Sequence, residues 1–98
     1  MPVVSAVMGT IAGGPSMRAI LSHWSIMVKG SGQIFAAGPP VVERAFGHKL
    51  HKDKLGGTAV AVDTAGTIDN VAENEQDCFD QIRRFLSYMP QNVWELPP

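Results

Sequence analysis

The apolar residues of the chain fall into short runs that are separated by glycine and proline. Runs of about four to eight apolar residues with such boundaries are typical of buried strands. The runs Val3–Met8 and Trp24–Val28 therefore predict two strands, and Gln33–Ala37 predicts a third. Thr58–Val62 is a possible fourth strand. Strands this short predict a narrow sheet.

Helical signals lie between these runs. Pro15 fits the first position of a helix that extends to about Ser22, because proline is preorganised there and its missing N–H would have no partner. Val41–Phe46 predicts a short helix, and Asp53 is expected to cap a turn that ends at Gly56-Gly57. The residues expected to face the core from the first helix are Met17, Ile20 and Leu21.

The last helix has the clearest pattern. Asn74 is a good N-cap, Asp77 adds negative charge to the first turn, and Pro90 ends the helix. We expect Cys78 to be a packing residue on the apolar face, and residues 91–98 to be a linker. The apolar positions at three- and four-residue spacing are Cys78, Phe79, Ile82, Phe85, Leu86 and Met89.

The composition of the chain excludes several classes of partner. The 98 residues have a net charge of −1, so neither nucleic acid nor an anionic membrane is expected as a partner. No apolar stretch approaches the roughly 18 residues of a membrane span. A single cysteine fits a reducing compartment, and we expect a cytoplasmic protein.

Strands that alternate with helices predict an α/β fold. The histidines lack metal-ligand spacing, so no metal site is expected.

The segment Gly9–Gly14 is the one site-like feature. It follows the first strand and precedes the helix that Pro15 opens, so the amides of Gly13 and Gly14 would lie at a helix N-terminus. Backbone N–H groups in such a position can stabilise an oxyanion. A tight strand-to-helix corner without a ligand explains the same residues, and the two glycines alone favour that simpler interpretation.

An ordered series of short motifs resembles the carboxyltransferase (β) subunits of biotin-dependent acyl-CoA carboxylases, such as the propionyl-CoA and methylcrotonyl-CoA carboxylases. The resemblance covers essentially the whole chain. It is carried by Pro2–Gly9, Ala12-Gly13-Gly14, Ile26–Val28, Gln33–Phe35, Gly38–Val42, Leu55–Gly57, Gly66, Asp69 and the terminal helix up to Tyr88-Met89-Pro90.

The resemblance implies a ClpP/crotonase-like fold, a superhelix of ββα units. Residues 1–90 would be the second half of the N-terminal carboxyltransferase domain, and residues 91–98 would lead to a C-terminal domain. It further implies that the amides of Gly13 and Gly14 hold the thioester oxygen of acyl-CoA as an enolate. The substrate-binding positions that it implies are Ala12, Pro15, Gly38 and Pro39.

The resemblance also implies partners. The carboxyl group would come from biotin, carried by a biotin carboxylase or biotin carrier subunit, and the subunits would form a homo-oligomer, a hexamer in the family. The ureido nitrogen of biotin would remove the α-proton, so no side-chain base is needed. Three residues depart from the family pattern: Pro15 and Arg18 replace small or apolar residues, and Ala61 replaces a histidine.

Two alternatives stay open at this stage. A crotonase-type hydratase or isomerase has the same fold, but it would need a glutamate near Met17, where this chain has none. The chain could also be an inactive or interaction-only fragment, because 98 residues cannot supply the sites for both substrates. The isolated fragment is expected to be inactive in either case.

Overall fold

The computed structural model describes residues 1–98. The strands are β1 (Val4–Val7), β2 (Thr10–Ala12), β3 (Trp24–Val28), β4 (Gln33–Phe35) and β5 (Asn70–Ala72). The helices are α1 (Gly14–Ile20), α2 (Pro39–Phe46), α3 (Lys52–Gly56) and α4 (Glu75–Ser87), and a π-helical segment, Ala59–Thr64, lies between α3 and β5.

The strands form two parallel sheets, and successive strands alternate between them. One sheet has the order β1-β3-β5, with Val4 opposite Trp24 and Ile26 opposite Asn70. The other pairs β2 with β4, with Ala12 opposite Phe35. The chain thus repeats the order strand, strand, helix, which is the ββα unit that the resemblance implies.

Two small apolar clusters hold these layers together. One lies between the two sheets and contains Val7, Met27 and Ile34. The other lies under α4, where Cys78 is fully buried against Ile26 and Val28. The packing role predicted for Cys78 agrees with this position. Burial, followed by the nearby negative charges of Asp77 and Glu75, raises the pKa of its thiol.

Helix α4 has a side-chain cap at its start and packs on the sheet further along. At its start, the Asn74 side chain accepts a hydrogen bond from the Asp77 amide at 2.8 Å, as predicted for an N-cap. Such a cap contributes about 1 kcal/mol. Further along, Phe85 stacks on Trp24 with ring centroids 5.0 Å apart. Gln81 donates to the Val71 carbonyl at 3.1 Å and so joins α4 to β5.

Several predicted elements differ from the observed ones. The possible strand Thr58–Val62 is wrong: the chain forms the π-helical segment Ala59–Thr64 instead. The Gly57 carbonyl accepts from the amides of Val60 and Ala61, which starts a helical turn despite the β-branched residues. Strands β2 and β5 were not predicted, because each has only three residues and no apolar run.

The expected core face of α1 is also wrong. The buried residues are Ser16 and Ala19, whereas Met17 is 62% exposed and Leu21 is 82% exposed. The small side chains of Ser16 and Ala19 face β1 and β2, where the helix packs on the strands. The larger apolar residues of α1 therefore lie on its outer face. A smaller correction concerns α3, where the side chain of His51, not of Asp53, is the N-cap.

The chain leaves much apolar surface uncovered. Its accessible area is 6714 Å², whereas a compact monomer of this size exposes about 5,400 Å². Its radius of gyration is 15.3 Å, against about 12.6 Å for a compact domain of this length. Helix α2 has no buried residue, and its Phe46 is 72% exposed. None of the helices is long and apolar enough to cross a bilayer.

We expect the isolated 98-residue chain to self-associate or to unfold without a sharp transition, because its exposed apolar helix faces lack partners. Sedimentation velocity and calorimetry on this fragment measure both properties. A monomer with one sharp, cooperative unfolding transition would contradict this expectation.

Cys78→Ala in the complete subunit should lower the free energy of unfolding by roughly 1 kcal/mol, the usual scale of a small core truncation. Turnover per folded molecule should not change. Because the folded pKa of the thiol is raised, wild-type stability relative to Cys78→Ala should fall as pH rises above about 8.5. Normal stability with abolished turnover would show that the thiol takes part in chemistry.

Candidate active site

The glycine corner joins the end of β2 to the start of α1. Gly13 has φ +73° and ψ −140°, a backbone conformation that favours glycine, and it occupies the N-cap position of α1. Its carbonyl accepts from the Ser16 amide at 3.0 Å and from the Ser16 hydroxyl. Ser16 is thus a buried residue of the first helical turn, and its hydroxyl is committed to this bond.

The amide of Gly13 is not free, contrary to expectation. It donates to the Phe35 carbonyl at 3.2 Å, which continues the β2–β4 pairing by one residue. The sequence did not reveal this bond, because it depends on the pairing of two strands that are far apart in the chain. A ligand at the corner therefore meets a Gly13 amide that already has an acceptor.

The amide of Gly14 is the remaining donor. It donates to no group within the chain, and Pro15 has no N–H. Gly14 is exposed, and a Cβ built on it would meet no atom within 4 Å. The corner thus has one exposed glycine whose N–H has no acceptor within the chain, and this N–H can donate to an oxygen of a ligand.

The second glycine-proline segment lies at the same edge of the sheet. β4 runs parallel to β2, so Gly38 and Pro39 follow its carboxyl end as Gly13 follows that of β2. The Gly38 carbonyl accepts from the amides of Val41 and Val42 at 3.1 and 3.2 Å. Because Pro39 and Pro40 have no N–H, the start of α2 offers surface to a ligand but no donor from its first turn.

The positions that depart from the family pattern differ in burial. Pro15 and Arg18 are exposed on α1, Pro15 beside the corner and Arg18 in the last turn. Ala61 is 3% exposed and packs in the cluster with Val7 and Ile34. The chain thus has a buried apolar residue at the position where the resemblance implies a histidine.

Ionisable side chains do not gather at the corner. No group of three or more histidine, cysteine, aspartate or glutamate side chains has metal-ligand geometry. The Nδ1 atom of His23 accepts from the Val3 amide at 2.8 Å, and Nδ1 of His51 accepts from the Asp53 amide at 3.3 Å. Both rings are engaged with the backbone.

Comparison with known proteins identifies the family. The carboxyl transferase domain model matches residues 1–98. The chain is 36% identical over its full length to the propionyl-CoA carboxylase carboxyltransferase subunit of Haloferax mediterranei. It is equally similar, at 36%, to the methylmalonyl-CoA decarboxylase subunit alpha of Veillonella parvula. It spans 19% of the length of each of these two relatives.

The fold agrees with this result. The structure superposes on that of transcarboxylase 12S, solved as a hexamer with hydrolysed methylmalonyl-coenzyme A bound, with a TM-score of 0.90 and 31% identity. The match covers 99% of this chain and 19% of that one. The expected ClpP/crotonase-like α/β fold is confirmed. The chain belongs to the carboxyl transferase domain family.

Proposed function

We propose that this chain is part of a carboxyltransferase that moves a carboxyl group between biotin and the α-carbon of an acyl-CoA. The observation that carries the proposal is that Gly14, an exposed residue after the carboxyl end of β2, has an N–H without an acceptor in the chain. The family membership supplies the reaction class.

The role of Gly14 in this proposal is to hold the thioester oxygen. Removing the α-proton of an acyl-CoA places negative charge on that oxygen, and a preorganised N–H donor lowers the energy of the resulting enolate. The Gly13 amide faces the Phe35 carbonyl, so its contribution is to fix the corner or to share its hydrogen between two acceptors. Gly14 is therefore the principal donor on this chain.

The neighbouring residues would shape the acyl site. Ala12 and Pro15 flank the two glycines, and Gly38 and Pro39 follow the carboxyl end of β4, which pairs in parallel with β2. These side chains are small or rigid and uncharged, which suits a neutral thioester and leaves the enolate charge to the backbone amide. Carboxylated biotin, when bound, supplies the carboxyl group.

The proposed reaction needs residues from outside these 98. An oxyanion site normally uses more than one donor, and this corner offers one uncommitted N–H. We propose that the 98 residues act within a longer subunit, and that they are inactive alone. A biotin-carrying partner and a homo-oligomer are part of this proposal. They are supported by relatives named biotin-dependent carboxylases and by the hexameric transcarboxylase 12S.

The direction of transfer is a separate question. The relative from Veillonella parvula is a methylmalonyl-CoA decarboxylase subunit, and loss of a carboxyl group from such a substrate passes through the same enolate. The Gly14 amide would stabilise this enolate in carboxylation and in decarboxylation alike. Both reactions should therefore be assayed: carboxylation of an acyl-CoA and decarboxylation of the carboxylated product.

Gly14→Val in the complete subunit with its biotin partner tests the role of the corner. The valine side chain would occupy the space in front of the amide and hold the thioester away. Loss of one oxyanion donor typically lowers kcat by about 10²–10³-fold, and we expect a reduction of this size. Acyl-CoA binding should change far less, because the interaction belongs mainly to the transition state.

Gly9→Val is the matched control. Gly9 precedes β2 at its other end, and a Cβ there also meets no atom within 4 Å. The same substitution away from the corner should leave kcat within about twofold of wild type, the usual range of a surface change without a special role. Near-wild-type kcat in correctly assembled Gly14→Val would exclude the proposed oxyanion role.

A further inference from the structure

Gly56 occupies the tightest contact between α3 and the β2–β4 sheet. It is buried, and a Cβ on it would collide with the Ile34 carbonyl oxygen and lie 2.8 Å from Cδ1 of Phe35. Only a hydrogen atom fits at this point. The absence of a side chain thus lets the end of α3 press directly on the backbone of β4.

The start of α3 is joined to the same strand by hydrogen bonds of one buried polar side chain. Gln33 is fully buried, and its amide nitrogen donates to the Asp53 carboxylate at 2.7 Å. Its amide oxygen accepts from the Thr10 hydroxyl at 2.6 Å, which ties β2 to the same side chain. Helix α3 is therefore held on β4 at both ends, with Gly56 against the carboxyl end.

Phe35 connects this contact to the glycine corner. Its carbonyl accepts the Gly13 amide at 3.2 Å. Its ring touches the position of Gly56 on one side, and Cε2 lies 3.5 Å from a Cβ built on Gly38. A displacement of β4 at Phe35 would consequently move the acceptor that fixes Gly13 and the surface that supports Gly38.

We infer that Gly56 is a positioning residue for the corner. By letting α3 rest on β4, it places the Phe35 carbonyl where it accepts the Gly13 amide, and this bond orients the next peptide so that the Gly14 amide faces the ligand. The inference rests on the proposed role of Gly14. A methyl group at position 56 would push Phe35 aside and release Gly13.

The test is Gly56→Ala in the complete subunit with its biotin partner. Two quantities are measured: the exchange rate of the Gly13 amide hydrogen, by mass spectrometry with fragmentation, and kcat and KM for the acyl-CoA. Because the bond to Phe35 protects the Gly13 amide, we expect its exchange to accelerate at least about tenfold. We expect kcat to fall about tenfold, with KM changing less than about threefold.

Gly32→Ala is the control for packing alone. Gly32 is also buried, and a Cβ there would lie 2.5 Å from the Val7 carbonyl oxygen and 2.6 Å from Cγ of Met27. It precedes β4, at the end opposite to Phe35. This variant should lose thermal stability as Gly56→Ala does, while Gly13 exchange and kcat per folded molecule stay near wild type.

The outcomes separate the inference from the function on which it rests. Faster Gly13 exchange with lower kcat supports it. Wild-type exchange in Gly56→Ala overturns the inference, whatever its kcat, and leaves the Gly14→Val result untouched. Faster exchange with unchanged kcat also overturns the inference, because the loss of the Gly13 bond then has no effect on turnover, and Gly14→Val remains the separate test of the proposed function.

If Gly56→Ala does not assemble, Phe35→Leu decides the question. This variant keeps the backbone carbonyl but removes the ring that lies between Gly56 and Gly38. Faster Gly13 exchange together with lower kcat supports the inference, and wild-type values of both overturn it.

Discussion

The candidate site depends on the parallel pairing of β2 with β4. Each of these strands has only three residues, and each is followed, directly or after two residues, by a glycine that is the N-cap of a helix. Because parallel strands end at the same edge, both glycine N-caps follow the same edge of this sheet, and both contact Phe35. The bond from the Gly13 amide to the Phe35 carbonyl extends the pairing into the corner. It also leaves Gly14 as the donor without an internal acceptor.

The larger elements were predictable from local pattern. The strands β1 and β3 are apolar except for one serine each, and α4 has both a side-chain N-cap at Asn74 and a regular apolar stripe. Proline at the start of α1 and α2 marks both helices. These signals lie within a few residues of one another, so tertiary contacts were not needed to interpret them.

The remaining features depend on tertiary contacts. The segment after Gly57 has strand-like residues, yet Ala61 must turn into the core between Val7 and Ile34, and the chain coils to place it there. Small residues on α1 face inward because the sheet is close, which reverses the expected hydrophobic face. The candidate corner was predictable as two glycines before a helix that opens with proline, but β2, the strand that leads into it, was not predicted. The commitment of the Gly13 amide was not, because its acceptor is set by strand register.

The proposed hydrogen bond from the Gly14 amide to the thioester oxygen can be measured directly by infrared spectroscopy. A ¹³C-labelled thioester carbonyl is bound to the complete subunit, and its stretching frequency is compared with that of the free acyl-CoA in water. A preorganised donor polarises the carbonyl, so we expect a lower frequency when the thioester is bound to the wild type, and no such shift in Gly14→Val. An equal shift in wild type and Gly14→Val would contradict the proposed role of Gly14.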